Sequence, residues 1–213
     1  MRPMVLMIDD DAGDRCFAGE LFASLGWEPV GATADGWHRA ASGTVPALIL
    51  RGGGNVPAID VLRAHAAVRD APIVAWVAAA QATPADVDDV LDKAAGAAGI
   101  KALAQRWRPD DPSATLDGLE AALGADEIGE MIGRLRAQLT AALAALATTD
   151  HPAEAHRIAG IAGMLGFGQL GAAWLAVSQG VEGSGTAARI ATRRALWALR
   201  RRCERVSCST ARP

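Results

Sequence analysis

Met4-Val5-Leu6-Met7-Ile8-Asp9-Asp10-Asp11 opens the chain with five apolar residues that run into three acids. An unbroken apolar run of this length reads as a short strand buried on both faces, as in a parallel sheet. The acids then fall at the carboxyl end of that strand, where open α/β sheets keep their ligand sites. Outward from this stretch, 13–25 reads as a helix with Phe17, Leu21 and Leu25 at four-residue spacing. Residues 29–32 and 47–50 read as extended, 59–68 as a helix and 72–77 as a strand. A further helix is expected over 84–95 and a last strand over 100–103. Strands alternating with helices predict a doubly wound α/β sheet.

The pattern stops at Arg108-Pro109-Asp110-Asp111-Pro112-Ser113. Two prolines and two acids predict a linker over 109–115, between an α/β domain at 1–108 and a second domain at 116–213. The second domain shows only helical periodicity. Ile128, Met131, Ile132, Leu135, Leu139, Leu143 and Leu146 step by three and four along one face. Asp150 and Pro152 mark the start of a helix that carries His156 and runs to about Leu165, where Gly166 and Gly168 punctuate it. Residues 170–177 and 186–206 read as two more, with Trp174 and Trp197 expected in the core. Four helices with short connections predict an antiparallel four-helix bundle.

Composition sets the outer limits. The chain has 213 residues, 51% of them hydrophobic, and a formal net charge of -3, so it is globular and gives no general reason to expect nucleic-acid binding. Cys16, Cys203 and Cys208 lack paired metal-site spacing and read as free thiols of a reducing compartment. The opening apolar run is too short for a signal peptide or a membrane span. A soluble cytoplasmic protein is expected, without a membrane partner.

The stretch that carries chemistry is Ala155-His156-Arg157-Ile158-Ala159-Gly160-Ile161-Ala162-Gly163-Met164-Leu165-Gly166-Phe167. On a helix, His156, Gly160 and Gly163 share one face. Glycine inside a helix costs about 1 kcal/mol relative to alanine, so two on the histidine's own face need a reason. Access is the simplest: without side chains there, another protein can approach the imidazole. A neutral imidazole nitrogen is a competent nucleophile toward phosphorus. His151 and His156 are five residues apart, which turns them away from each other and argues against a zinc pair.

This segment resembles the histidine-phosphotransfer (HPt) family of four-helix bundles, whose pattern is Ala-His-x-Leu-Lys-Gly, small residues, then Leu-Gly. The resemblance implies that His156 accepts a phosphoryl group from an aspartyl phosphate on a receiver domain of a hybrid histidine kinase and passes it to a response regulator. It implies a phosphoryl carrier without kinase activity of its own, and no metal or cofactor in the bundle. The Mg²⁺ would come with the partner receiver. Arg157, Ala159, Gly160 and Gly163 fall on motif positions, and Phe167 and Gln169 just past it are candidate docking contacts. Ala159 stands where the family usually has lysine.

Residues 4–11 in turn resemble the start of a receiver domain, which would place Asp9 and Asp10 at its Mg²⁺-binding acids. The rest of that pattern is missing. Gly52 falls where the phosphorylated aspartate is expected, Val77 where a hydroxyl is expected, and Arg106 is matched loosely to the lysine of the fifth strand. The first domain is therefore expected to be a receiver-like module that is not phosphorylated, with Asp9 and Asp10 as remnants and Arg51 able to pair with either. It would serve docking, dimerisation or orientation of the bundle. Gly52-Gly53-Gly54 lacks the lysine and hydroxyl of a phosphate loop.

Seven arginines, Arg189, Arg193, Arg194, Arg200, Arg201, Arg202 and Arg205, make the last helix basic. It reads as a solvated face, as a surface that steers acidic receivers toward His156, or as a nucleic-acid contact. A non-phosphorylated scaffold that binds two-component signalling proteins is the alternative function.

Overall fold

The structure, a computed structural model, describes residues 2–42, 44–78, 86–146 and 152–210, without the side chains of 152 and 204–210. Asp150 and His151 lie outside the described residues, as do the side chains of Arg205 and Cys208. The chain divides into two units, Met1–Arg108 and Pro109–Pro213.

The first unit runs β1 (Met4–Ile8), α1 (Ala12–Ser24), β2 (Glu28–Ala32), α2 (Trp37–Ala40), β3 (Leu48–Arg51), α3 (Ile59–Ala64), β4 (Ile73–Val77), β5 (Asp89–Asp92), a 3-10 turn at Lys93–Ala95 and α4 (Gly96–Arg106). The strands form one parallel sheet in the order β2-β1-β3-β4-β5. This is the flavodoxin-like doubly wound order. Every residue of β1 and β4 is buried, as expected of strands covered on both faces. On one face Leu6, Ile8, Ile49 and Ile73 pack with Trp37 of α2 and Leu62 of α3. On the other side α1 and α4 pack against each other.

Three expectations are corrected here. Residues 89–92 are a strand, not part of a helix over 84–95; residues 84 and 85 lie outside the described ones. Residues 100–103 belong to α4, not to a strand, because Ile100, Leu103 and Ala104 are spaced for one buried helical face. On α1 the core face is Ala18 and Phe22, whereas Phe17 is 44% exposed. The four-residue spacing from Phe17 is real, but the helix is rotated so that Phe22 enters the core beside Trp27, with their rings edge to face at 5.6 Å.

The second unit holds α5 (Ser113–Leu123), α6 (Ala125–Ala145), α7 (Pro152–Met164), α8 (Gly168–Ser178) and α9 (Ser184–Thr210). α6 packs on α7 and α9, and α8 packs on α7 and α9, which closes a ring of four helices; α5 lies against α6. That arrangement is consistent with a bundle. The stripe on α6 faces the core: Ile128, Ile132, Leu135 and Leu139 are buried, with Met131, Leu143 and Leu146 packed against them. Trp174 is buried and its indole N–H donates to Thr192 Oγ1 at 2.9 Å, so neither polar atom is stranded.

The expected linker over 109–115 is ordered in the second unit. Helix α5 already begins at Ser113, whose N–H donates to Asp111 Oδ1. Asp110 pairs with Arg194 of α9, and Arg202 pairs with Asp117 and Glu120 of α5. Burial pushes the Asp110 carboxyl up, against the pull of Arg194. Two of the seven arginines are thus buried anchors rather than solvated or steering charges. A long side chain can bury its stem and still pair at its tip, and a count of charges cannot show this.

Candidate functional site

His156 is exposed on α7, and so are Gly160 and Gly163 on the same face. The opposite face, Ala155, Ile158, Ala162 and Leu165, is buried in the core. A Cβ added at Gly160 or at Gly163 would meet nothing within 4 Å. Packing among the described residues of the unit therefore gives no reason for glycine at either position.

Gly171 is different. A Cβ there would stand 3.1 Å from the Ala159 carbonyl oxygen and 3.5 Å from the Gly163 nitrogen. Glycine lets the α8 backbone approach α7 directly, and so fixes the helix that carries His156. Gly171→Ala is expected to destabilise the protein by about 1–3 kcal/mol, because the atoms in the way are backbone and cannot swing aside. Thermal unfolding checks this. At the turn between the two helices Gly166 has φ +85 and packs against Thr115, 2.7 Å from where its Cβ would be. A side chain there would be strained twice over.

The other motif positions divide. Arg157 is exposed beside His156. Ala159 is half-buried and packs against the core, on the side that meets α8. Phe167 is fully buried, so it is a core residue and not a docking contact. Gln169 is exposed, but its Oε1 accepts from Arg194 Nη1 at 2.8 Å. It lies two residues from Gly171 and so on the opposite side of α8 from the α7 contact, turned toward α9 rather than toward His156.

In the first unit the acids of the opening stretch meet a residue that the sequence reading did not single out. Asp9 is only 4% exposed. Lys93 Nζ donates to Asp9 Oδ2 at 3.0 Å and also pairs with Asp14. Its ammonium lies 4.8 Å from the centre of the Trp76 ring. Burial opposes the lysine's charge, but hydrogen bonds to Asp14 and Asp9 outweigh it and hold the ammonium above the ordinary lysine range. Asp9 is further held by the Asp11 N–H, and its carbonyl accepts from Arg15. Asp10 is exposed and accepts from the Ala34 N–H at 3.0 Å.

Lys93 directly follows β5, where the receiver resemblance leads one to expect a lysine; Arg106 sits on α4 and pairs with Asp89. Arg51 does not pair with the acids either. It donates to the Pro57 and Val56 carbonyls of its own loop. Gly52 continues β3, its N–H donating to the Ile8 carbonyl at 2.8 Å, and a Cβ there would overlap the Asp9 carboxylate. Val77 ends β4 and is buried, and residues 79–85 after it lie outside the described ones. These residues do not fit a divalent cation: Gly52 offers no carboxylate, and Lys93 already neutralises Asp9. Among the described residues no group of three or more His, Cys, Asp or Glu is placed to hold a metal ion. No described helix is long and apolar enough to cross a membrane.

No protein-family profile and no curated protein matches the chain. Among solved structures, the chemotaxis response regulator CheY4 of Vibrio cholerae is similar to it at 16% identity and a TM-score of 0.44, over 50% of this chain and 99% of that one.

Proposed function

We propose that the protein is a phosphorelay component in which His156 receives a phosphoryl group from a receiver's aspartyl phosphate and hands it to a second receiver. An imidazole nitrogen forms the N–P bond while the acyl P–O bond breaks, and the electron pair leaves with the receiver's carboxylate. The Mg²⁺ and the aspartate belong to the partner, so this chain supplies the nucleophile and its approach. The chain is then a cytoplasmic carrier rather than a kinase.

The observation that carries this reading is the pair of glycines. They cost helix stability, a Cβ added at either would meet nothing within 4 Å among the described residues, and they clear the face on which His156 stands. Gly160→Ala is accordingly expected to stabilise the protein by about 0.5–1 kcal/mol, while slowing transfer from a receiver. Unfolding midpoints and transfer rates measured on the same variant check both halves. The reading itself is tested by incubating the full chain with a radiolabelled phosphorylated receiver and following label into the chain.

The first unit supports the same reading in a subsidiary role. With Gly52 in place of a nucleophile and Lys93 on Asp9, it acts as a non-phosphorylated receiver-like module for docking or regulation. A scaffold that binds signalling proteins without carrying phosphate is favoured by one observation: half-buried Ala159 puts no cation beside His156 at the position where lysine is expected.

A further inference from the structure

Two large apolar side chains are exposed on α7 and α8. Met164 is 59% exposed at the end of α7, and Leu175 is 39% exposed on α8. Single exposed apolar residues are ordinary, but these two stand on the helix that carries His156 and on the helix packed beside it. Gly171 sets the register, because it meets Ala159 and Gly163 of α7. The short turn at 165–167 reverses the chain, so four residues along α8, about 6 Å, step back one turn along α7. Leu175 is therefore level with His156. It is turned about 40° around α8 from Gly171, to the solvent side of the seam, the side on which His156 stands. Met164 lies about 12 Å along α7 from His156, with Gly160 and Gly163 between them.

We propose that Leu175 and Met164 are the apolar anchors by which this face takes a receiver-type domain, and that they set which receiver is accepted. The proposal rests on the phosphocarrier reading and names the residues that select its partner. Charge argues for that occupant: Arg157 is exposed beside His156, which suits an acidic centre. This chain's own doubly wound unit shows the matching chemistry at its carboxyl edge, where Asp10 and Asp11 are exposed and α1 presents Phe17. Apolar side chains that leave water when a partner covers them contribute binding energy to such a face. Neither side chain touches the reacting atoms, so both act on binding and not on the nucleophile.

The test uses Leu175→Ser and Met164→Ser in the full chain, with a panel of purified receiver domains labelled on their aspartate. Each variant is expected to lose about tenfold in kcat/KM through KM. Labelling of His156 by phosphoramidate and the unfolding midpoint should stay at wild-type values. Unchanged KM in both variants overturns the proposal, as does a wild type that is labelled by phosphoramidate but takes nothing from any receiver. If the wild type is labelled by neither donor, the phosphocarrier reading falls instead. Direct binding of beryllofluoride-treated receivers then decides the anchors: weaker binding by Leu175→Ser supports them, and equal binding overturns them.

Discussion

His156→Gln is expected to abolish label uptake from both phosphoramidate and a phosphorylated receiver, with the fold intact. The side chain is exposed on α7, so its replacement opens no cavity and strands no buried partner. Glutamine keeps a polar side chain of similar reach but has no nitrogen lone pair free to attack phosphorus. The small-molecule donor separates chemistry from docking, because phosphoramidate needs no protein surface. Loss with both donors assigns the nucleophile. Label retained with phosphoramidate would place the phosphoryl group elsewhere in the chain and would contradict the account.

Lys93→Met is expected to destabilise the first unit by about 2–3 kcal/mol. The methionine keeps an apolar stem against Trp76 but removes the ammonium from Asp9, which is buried. Loss of one partner of a buried pair leaves the other charge uncompensated. Two features hold the cost below the usual loss for a broken buried pair. Asp9 still accepts from the Asp11 N–H, and Lys93 is itself partly exposed to water. For a unit of this size the unfolding midpoint should fall by roughly 10 °C or more, as read by thermal unfolding of the full chain. The sign with pH follows from the raised lysine. Its stabilisation is fully present below the ordinary lysine range and is lost as pH rises through the folded value. The difference between wild type and variant should therefore be flat across neutral pH. A variant as stable as the wild type would mean that Asp9 is satisfied without Lys93.

The doubly wound sheet and the helical character of the second unit were legible because their strongest signals are local. The opening strand, β3 and β4 are unbroken apolar runs, and the α6 stripe repeats over five turns. What escaped was short or ambiguous. β5 has two apolar residues between aspartates, too few to show a period, and it is an edge strand with one buried position. Reading it as helix displaced the next element as well, and with it the lysine that settles the chemistry of Asp9. Phe167 shows a second limit, since proximity to a motif does not say which way a side chain turns. Arg194 and Arg202 show a third: ion pairs between residues more than eighty apart have no local signature.

The candidate site in the second unit was legible as a shared helix face, but its surroundings on α8 were not. His156, Gly160 and Gly163 share a face because helix geometry requires it. Leu175 joins them only through the packing of α8 on α7, which Gly171 permits. Helical spacing orders residues within one element, whereas register between elements is set by contact.

The most direct measurement is ³¹P NMR of the full chain after treatment with phosphoramidate, before and after acidification. A phosphorus resonance from phosphate bound to an imidazole nitrogen, stable in base and lost in acid, is expected. A folded protein with no such resonance, or with a phosphorus signal that survives acid, would contradict the phosphocarrier reading.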